Sequence, residues 1–152
     1  MEFVTFEIAK KLKEKGFREK CFATYTPYSE TLKLNEINTD KRPAYYILNI
    51  EEFRECYNYY EDNNIDTPTI SQALKWLREE KKLHIEPCVL ADSDTDADNK
   101  IINEYTYWSF SIVSIETGDM IYFEYEHIDD KRFDTYESAA LDGIKYVLDN
   151  LI

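Results

Sequence analysis

The chain is poor in the residues that break or staple a polypeptide: three glycines, four prolines and three cysteines among 152 residues. So few glycines leave little to build a phosphate cradle from, and no Walker loop, G-x-G-x-x-G, H-E-x-x-H or G-x-S-x-G occurs. Scarce glycine and proline also leave little flexible linker, which implies a single domain over residues 1–152. Cys21, Cys56 and Cys88 are odd in number and widely spaced, with no C-x-x-C pair. That spacing speaks against a disulfide framework or a structural zinc site and fits thiols in a reducing cytoplasm. Met1-Glu2-Phe3-Val4-Thr5 shows no basic stretch leading into a long apolar run, and no segment reaches membrane-spanning length. The expected protein is cytoplasmic, with no signal peptide and no membrane association.

Positive charge is the other shortage. Eighteen Lys/Arg stand against 31 Asp/Glu, for a net charge of −13. The imbalance is uneven: nine against seven over residues 1–42, five against nine over 43–91, and four against fifteen over 92–152. Such a chain is repelled by phosphate backbones, which argues against general nucleic-acid binding. The basic remainder lies near the start, at Lys10, Lys11, Lys13, Lys15, Arg18 and Lys20.

What the chain has is tyrosine, thirteen of them, and clear helix punctuation. Thr5 is placed to cap a first helix with Ile8, Ala9 and Leu12 on one face. Gly16 and Phe17 then fit a Schellman stop, with Phe17 reaching back to Leu12. Residues 21–35 read as a hairpin around Pro27. Tyr45–Leu48 reads as a short strand, and Asn49-Ile50-Glu51-Glu52 has capping-box spacing for a short helix through Cys56. A second clear helix is predicted with Thr67 as cap and Pro68 in its first position, burying Ile70, Ala73, Leu74 and Leu77 and ending near Lys82. Leu83–Glu86 alternates as a strand entering Pro87–Leu90. In a hairpin over Tyr105–Ile128, a turn at Glu116–Asp119 places Ile112 opposite Phe123, Phe110 opposite Tyr125 and Trp108 opposite His127. A last helix follows Phe133, capped by Asp134 or Thr135, with Ala140, Ile144, Val147, Leu148 and Leu151 apolar and Gly143 allowing close approach. The fold class is α+β: an antiparallel sheet of four to six strands with three main helices mostly on one face.

Few residues carry chemistry. Asp92, Asp94, Asp96 and Asp98 alternate like the start of a calcium loop, but position 6 is Ala97 and neither register supplies the closing glutamate. A solvated acidic loop between two strands is the simpler reading. His84 and His127 have no placed partner, and the pairs Glu51-Glu52 and Glu79-Glu80 diverge on a helix, so no catalytic residue and no cofactor is assigned. Tyr57, Tyr59, Tyr60, Tyr107 and Tyr122 form a candidate contact surface, since aromatics anchor interfaces.

The blocks Thr67-Pro68-Thr69-Ile70-Ser71-Gln72-Ala73-Leu74-Lys75-Trp76-Leu77-Arg78-Glu79, Phe133-Asp134-Thr135-Tyr136-Glu137-Ser138-Ala139-Ala140-Leu141-Asp142-Gly143-Ile144 and Phe3-Val4-Thr5-Phe6-Glu7 resemble a family of small bacterial proteins, often carried by prophages or other mobile elements, with no assigned activity. The resemblance covers three helical blocks and implies a genomic setting, that of an accessory protein. The expected function is non-enzymatic, through a protein partner. An acidic mimic of nucleic acid, and an enzyme or small-ligand binder with a site gathered from distant residues, are the alternatives.

Overall fold

The computed structural model describes residues 2–25, 32–34, 65–122 and 132–152. Those residues form an α+β protein with three helices and two three-stranded antiparallel sheets. The expected strands are divided between two sheets instead of sharing one. The chain separates into two compact units, Met1–Thr69 and Ile70–Ile152.

In the first unit, helix α1 spans Phe6–Glu14 and buries Ile8, Ala9 and Leu12. Its start and stop are those the sequence specifies. Thr5 Oγ1 accepts from Ile8 N at 3.4 Å, and Gly16, at φ +98°, lets Phe17 N donate to Leu12 O at 2.9 Å and Gly16 N to Lys13 O at 3.2 Å. Phe17 and Leu12 are both buried, giving the Schellman motif its apolar contact. Strand β1 (Ala23–Tyr25) lies between β2 (Leu32–Leu34) and β3 (Ile65–Thr67), both antiparallel to it. Tyr25 packs edge-on against Phe6 and donates to Val4 O at 3.1 Å. The predicted strand at Tyr45–Leu48 and the helix after Asn49 lie outside the described residues.

Thr67 corrects one expectation. It is the last residue of β3, paired with Ala23, and its buried hydroxyl donates to Ile65 O at 3.0 Å. Strand pairing has claimed it, so the next helix begins at Ile70 and Pro68 precedes that helix.

Helix α2 spans Ile70–Glu80 in the second unit and buries Ile70, Ala73, Trp76 and Leu77. Trp76 takes the buried place expected of Leu74, which is half-buried, and Lys81 Nζ sits 5.0 Å from its ring centroid. Lys82, at φ 58°, turns the chain into β4 (Leu83–Thr95), which pairs in long antiparallel register with β5 (Ile101–Ser114). A short β6 (Met120–Tyr122) follows. Helix α3 (Tyr136–Asn150) is capped by Thr135, whose Oγ1 accepts from Ser138 N at 3.1 Å while Ser138 Oγ approaches Thr135 N at 3.3 Å.

The β5–β6 register differs from that expected. Ile112 pairs with Tyr122 and Val113 with Met120, so Ile121 is an extra residue in a bulge. The slip exchanges the faces: Tyr122 turns inward, and Ile121 and Met120 are exposed. Trp108 exchanges both backbone hydrogen bonds with Phe133, at 2.8 and 2.9 Å. Phe123, Tyr125 and His127 lie outside the described residues.

The core of this unit is the contact between α3 and the sheet. Phe110 is buried, stacked on Tyr122 at 5.0 Å and tilted against Phe133 at 6.2 Å. A Cβ on Gly143 would come within 2.7 Å of Ile85 Cγ2 and 3.2 Å of the Phe110 ring. Gly143→Val is therefore expected to lose about 3 kcal/mol by overpacking, read as a lower urea midpoint with unchanged slope. In the first unit, burial, then the charges of Asp66 and Glu19, push the Cys21 thiol from 9.0 up to about 12. The unfolded chain releases that proton near pH 9 and the folded one near 12, so stability falls between those values. Urea midpoints of wild type and Cys21→Ala, compared at pH 8 and pH 11, should diverge in wild type's disfavour at the higher pH.

Candidate interaction surface

The β4–β5 hairpin is far longer than the core it serves. On β4 only Leu83 and Ile85 are buried, and on β5 only Ser109–Ile112. From Val89 to Thr95 and back from Ile101 to Trp108 no residue is buried. At about 3.4 Å per residue this outer part is, among the described residues, a two-stranded ribbon about 20 Å long, joined at its inner end by the Trp108–Phe133 bridge. The acidic segment expected as a loop is thus mostly strand, with Asp92 opposite Tyr105 and Asp94 opposite Asn103.

Register and alternation assign two faces to the ribbon. Asp92, Asp94, Tyr105 and Tyr107 share one. Arg132, entering from the residues before α3, fastens this face: Nη2 lies 2.9 Å from Asp92 Oδ2, Nη1 donates to Tyr105 Oη, and Tyr105 Oη reaches the same Asp92 oxygen at 3.3 Å. The guanidinium also lies 5.2 Å from the Tyr105 ring centroid and 4.9 Å from that of Tyr107. Tyr107, one of the candidate contact residues, is half-buried under that cation. Tyr122, another, is buried in the core beside Phe110 and Tyr146, because the bulge turns it inward. Tyr57, Tyr59 and Tyr60 lie outside the described residues.

Three of the four aspartates have separate duties. Asp92 answers Arg132, and Asp94 accepts from Asn103 Nδ2 at 3.5 Å. Asp96 organises the turn: its Oδ1 accepts from the amides of Asp98 and Lys100, each at 2.9 Å, while Asn99 takes φ 60°. Asp98 is exposed. Among the described residues no group of three or more His, Cys, Asp or Glu is placed to hold a metal ion.

The opposite face carries Val89, Ala91, Glu104, Thr106 and Trp108, in line with Phe110 and Ile112. Trp108 is half-buried, with Tyr136 set edge-on against it at 5.6 Å. Beyond them the apolar residues meet solvent: Val89 is 53% exposed, Ile101 53%, Ile102 65% and Tyr136 39%. The aliphatic character of Val89, Ile101 and Ile102 is visible in the sequence, but only the register brings Val89 beside Trp108. No helix among the described residues is long and apolar enough to cross a membrane.

No protein-family model, no curated protein and no solved structure matches this chain.

The Arg132 cluster predicts a local effect. Exposed ion pairs and cation–π contacts contribute about 1 kcal/mol or less each. Arg132→Ala should therefore change global stability by only about that much. Amide exchange across Asp92–Tyr107 should quicken markedly, as hydrogen–deuterium exchange with mass spectrometry would show.

Proposed function

We propose that the chain is a non-enzymatic binding protein that engages a protein partner through the outer part of the β4–β5 hairpin. One observation carries this reading: a ribbon about 20 Å long that supports no core of its own yet presents Val89, Ile101 and Ile102 to solvent. Exposed apolar residues on a stiff, hydrogen-bonded ribbon cost solubility and conformational entropy unless something uses them. The ribbon is also stiffened by Arg132, which lowers the ordering cost of binding. An accessory role in a bacterium or phage, suggested by the sequence resemblance, is in keeping with a protein that acts by occupying another.

A nucleic-acid mimic would favour carboxylates in one stripe. Here Asp92 and Asp94 lie on one face of the ribbon and Glu104 on the other, and Asp92 is neutralised by Arg132. That division favours the partner-protein reading.

The test is affinity purification of the tagged full chain from its own host at moderate salt, beside the Ile102→Asp variant. Wild type should retain a stoichiometric protein that Ile102→Asp loses. Identical co-purifying proteins from both, or none from either, would count against the ribbon as the binding element.

A further inference from the structure

Resting on that reading, we infer that the partner contributes a cationic amphipathic helix, seated on the ribbon face that carries Val89, Ala91 and Trp108. The architecture supplies the first argument. On this same sheet face α3 covers Phe110 and Ile85 through the close approach at Gly143. Its first residue, Tyr136, meets Trp108, while the sheet runs on outward through Val89, Ala91, Thr106 and Glu104. All four are exposed. Sheets bury an apolar face most readily under a helix, so a further helix beside Tyr136 extends a layer already begun. A helix of about fourteen residues is ~21 Å long, matching the ribbon.

Charge supplies the second argument. Glu104 stands on this face, Asp134 and Glu137 flank Tyr136, and Asp96 and Asp98 lie in the turn at the tip. Among the described residues the cations set against them are Lys100 in the turn and Arg132, which is engaged with Asp92 on the other face. An apolar strip with an acidic rim selects a helix whose apolar stripe is bordered by Lys and Arg. A second copy of this chain is disfavoured, because it would bring the same acidic ribbon, on a chain of net charge −13, against its like.

The probe is a Leu/Lys helical peptide of about fourteen residues with one apolar stripe, compared by calorimetry with a Leu/Glu peptide of identical pattern. The full chain should bind the Leu/Lys peptide one to one, more weakly as salt rises, and should not bind the Leu/Glu peptide. Val89→Glu adds negative charge while removing apolar surface, so it separates docking from general attraction. It should weaken binding about thirtyfold, the size of a hot-spot loss. Glu104→Lys should weaken binding too, and Glu79→Lys, on the exposed side of α2, should not.

Equal or tighter binding by Val89→Glu, equal binding of both peptides, or no binding of either would overturn the assignment. So would a dimer in sedimentation that Val89→Glu dissolves, since the occupant would then be a second copy. If the purification comparison succeeds while the Leu/Lys peptide fails, the ribbon remains a binding element and only the cationic helix falls. If Ile102→Asp retains every partner, the binding reading itself falls, whatever the peptide does.

Discussion

Between α3 and the sheet there is no room for a side chain at Gly143, and the second unit is built around that closeness. Ile85 Cγ2 and the Phe110 ring occupy the space a Cβ would need. With the helix this near, Phe110 is enclosed by α3, Tyr122 and Phe133, and Tyr146 reaches Tyr122 at 4.6 Å. The helix cap, the inward turn of Tyr122 and the Trp108–Phe133 bridge all converge on this contact. A glycine within a helix gives up about 1 kcal/mol of propensity; here the loss is offset by burial of two large apolar groups.

The outer hairpin follows a different logic. It has no buried residues to hold it, and isolated two-stranded ribbons are marginal in water. Its order comes from polar devices: the Asp96 turn at one end, the Arg132 fastening midway, and cross-strand pairing along its length. Each is modest alone. Together they hold apolar side chains in solvent in a defined arrangement.

The helices were legible because their signals are local. Thr5, Gly16, Phe17 and Thr135 act within a few residues of themselves, and each does in the structure what its chemistry specifies. The β5–β6 register was not legible, because a bulge at Ile121 leaves the alternating pattern intact while moving its partner by one position. Thr67 misled because a threonine before proline suits a cap as well as a strand end, and only the pairing with Ala23 decides between them. The β4–β5 ribbon was hidden for a further reason. A strand wet on both faces has no buried period, so Asp92–Asp98 reads like a solvated loop. The candidate surface emerged only when register set Val89 beside Trp108.

The order of elements along the chain has a kinetic consequence. β4 and β5 are joined by a short turn, and hairpins of this kind close in about 1–10 μs. Helix α3 comes last. During synthesis at about 5–20 residues per second, the stretch from Ile115 to Asn150 takes roughly two to seven seconds to emerge. Throughout that interval the sheet face bearing Phe110 and Ile112 has no lid, and a nascent strand pair with a bare apolar face invites association with its neighbours. Asp92, Asp94, Asp96 and Asp98, at the far end of that hairpin, add like charge that disfavours such association. The acidic tip would protect the protein before the fold is complete.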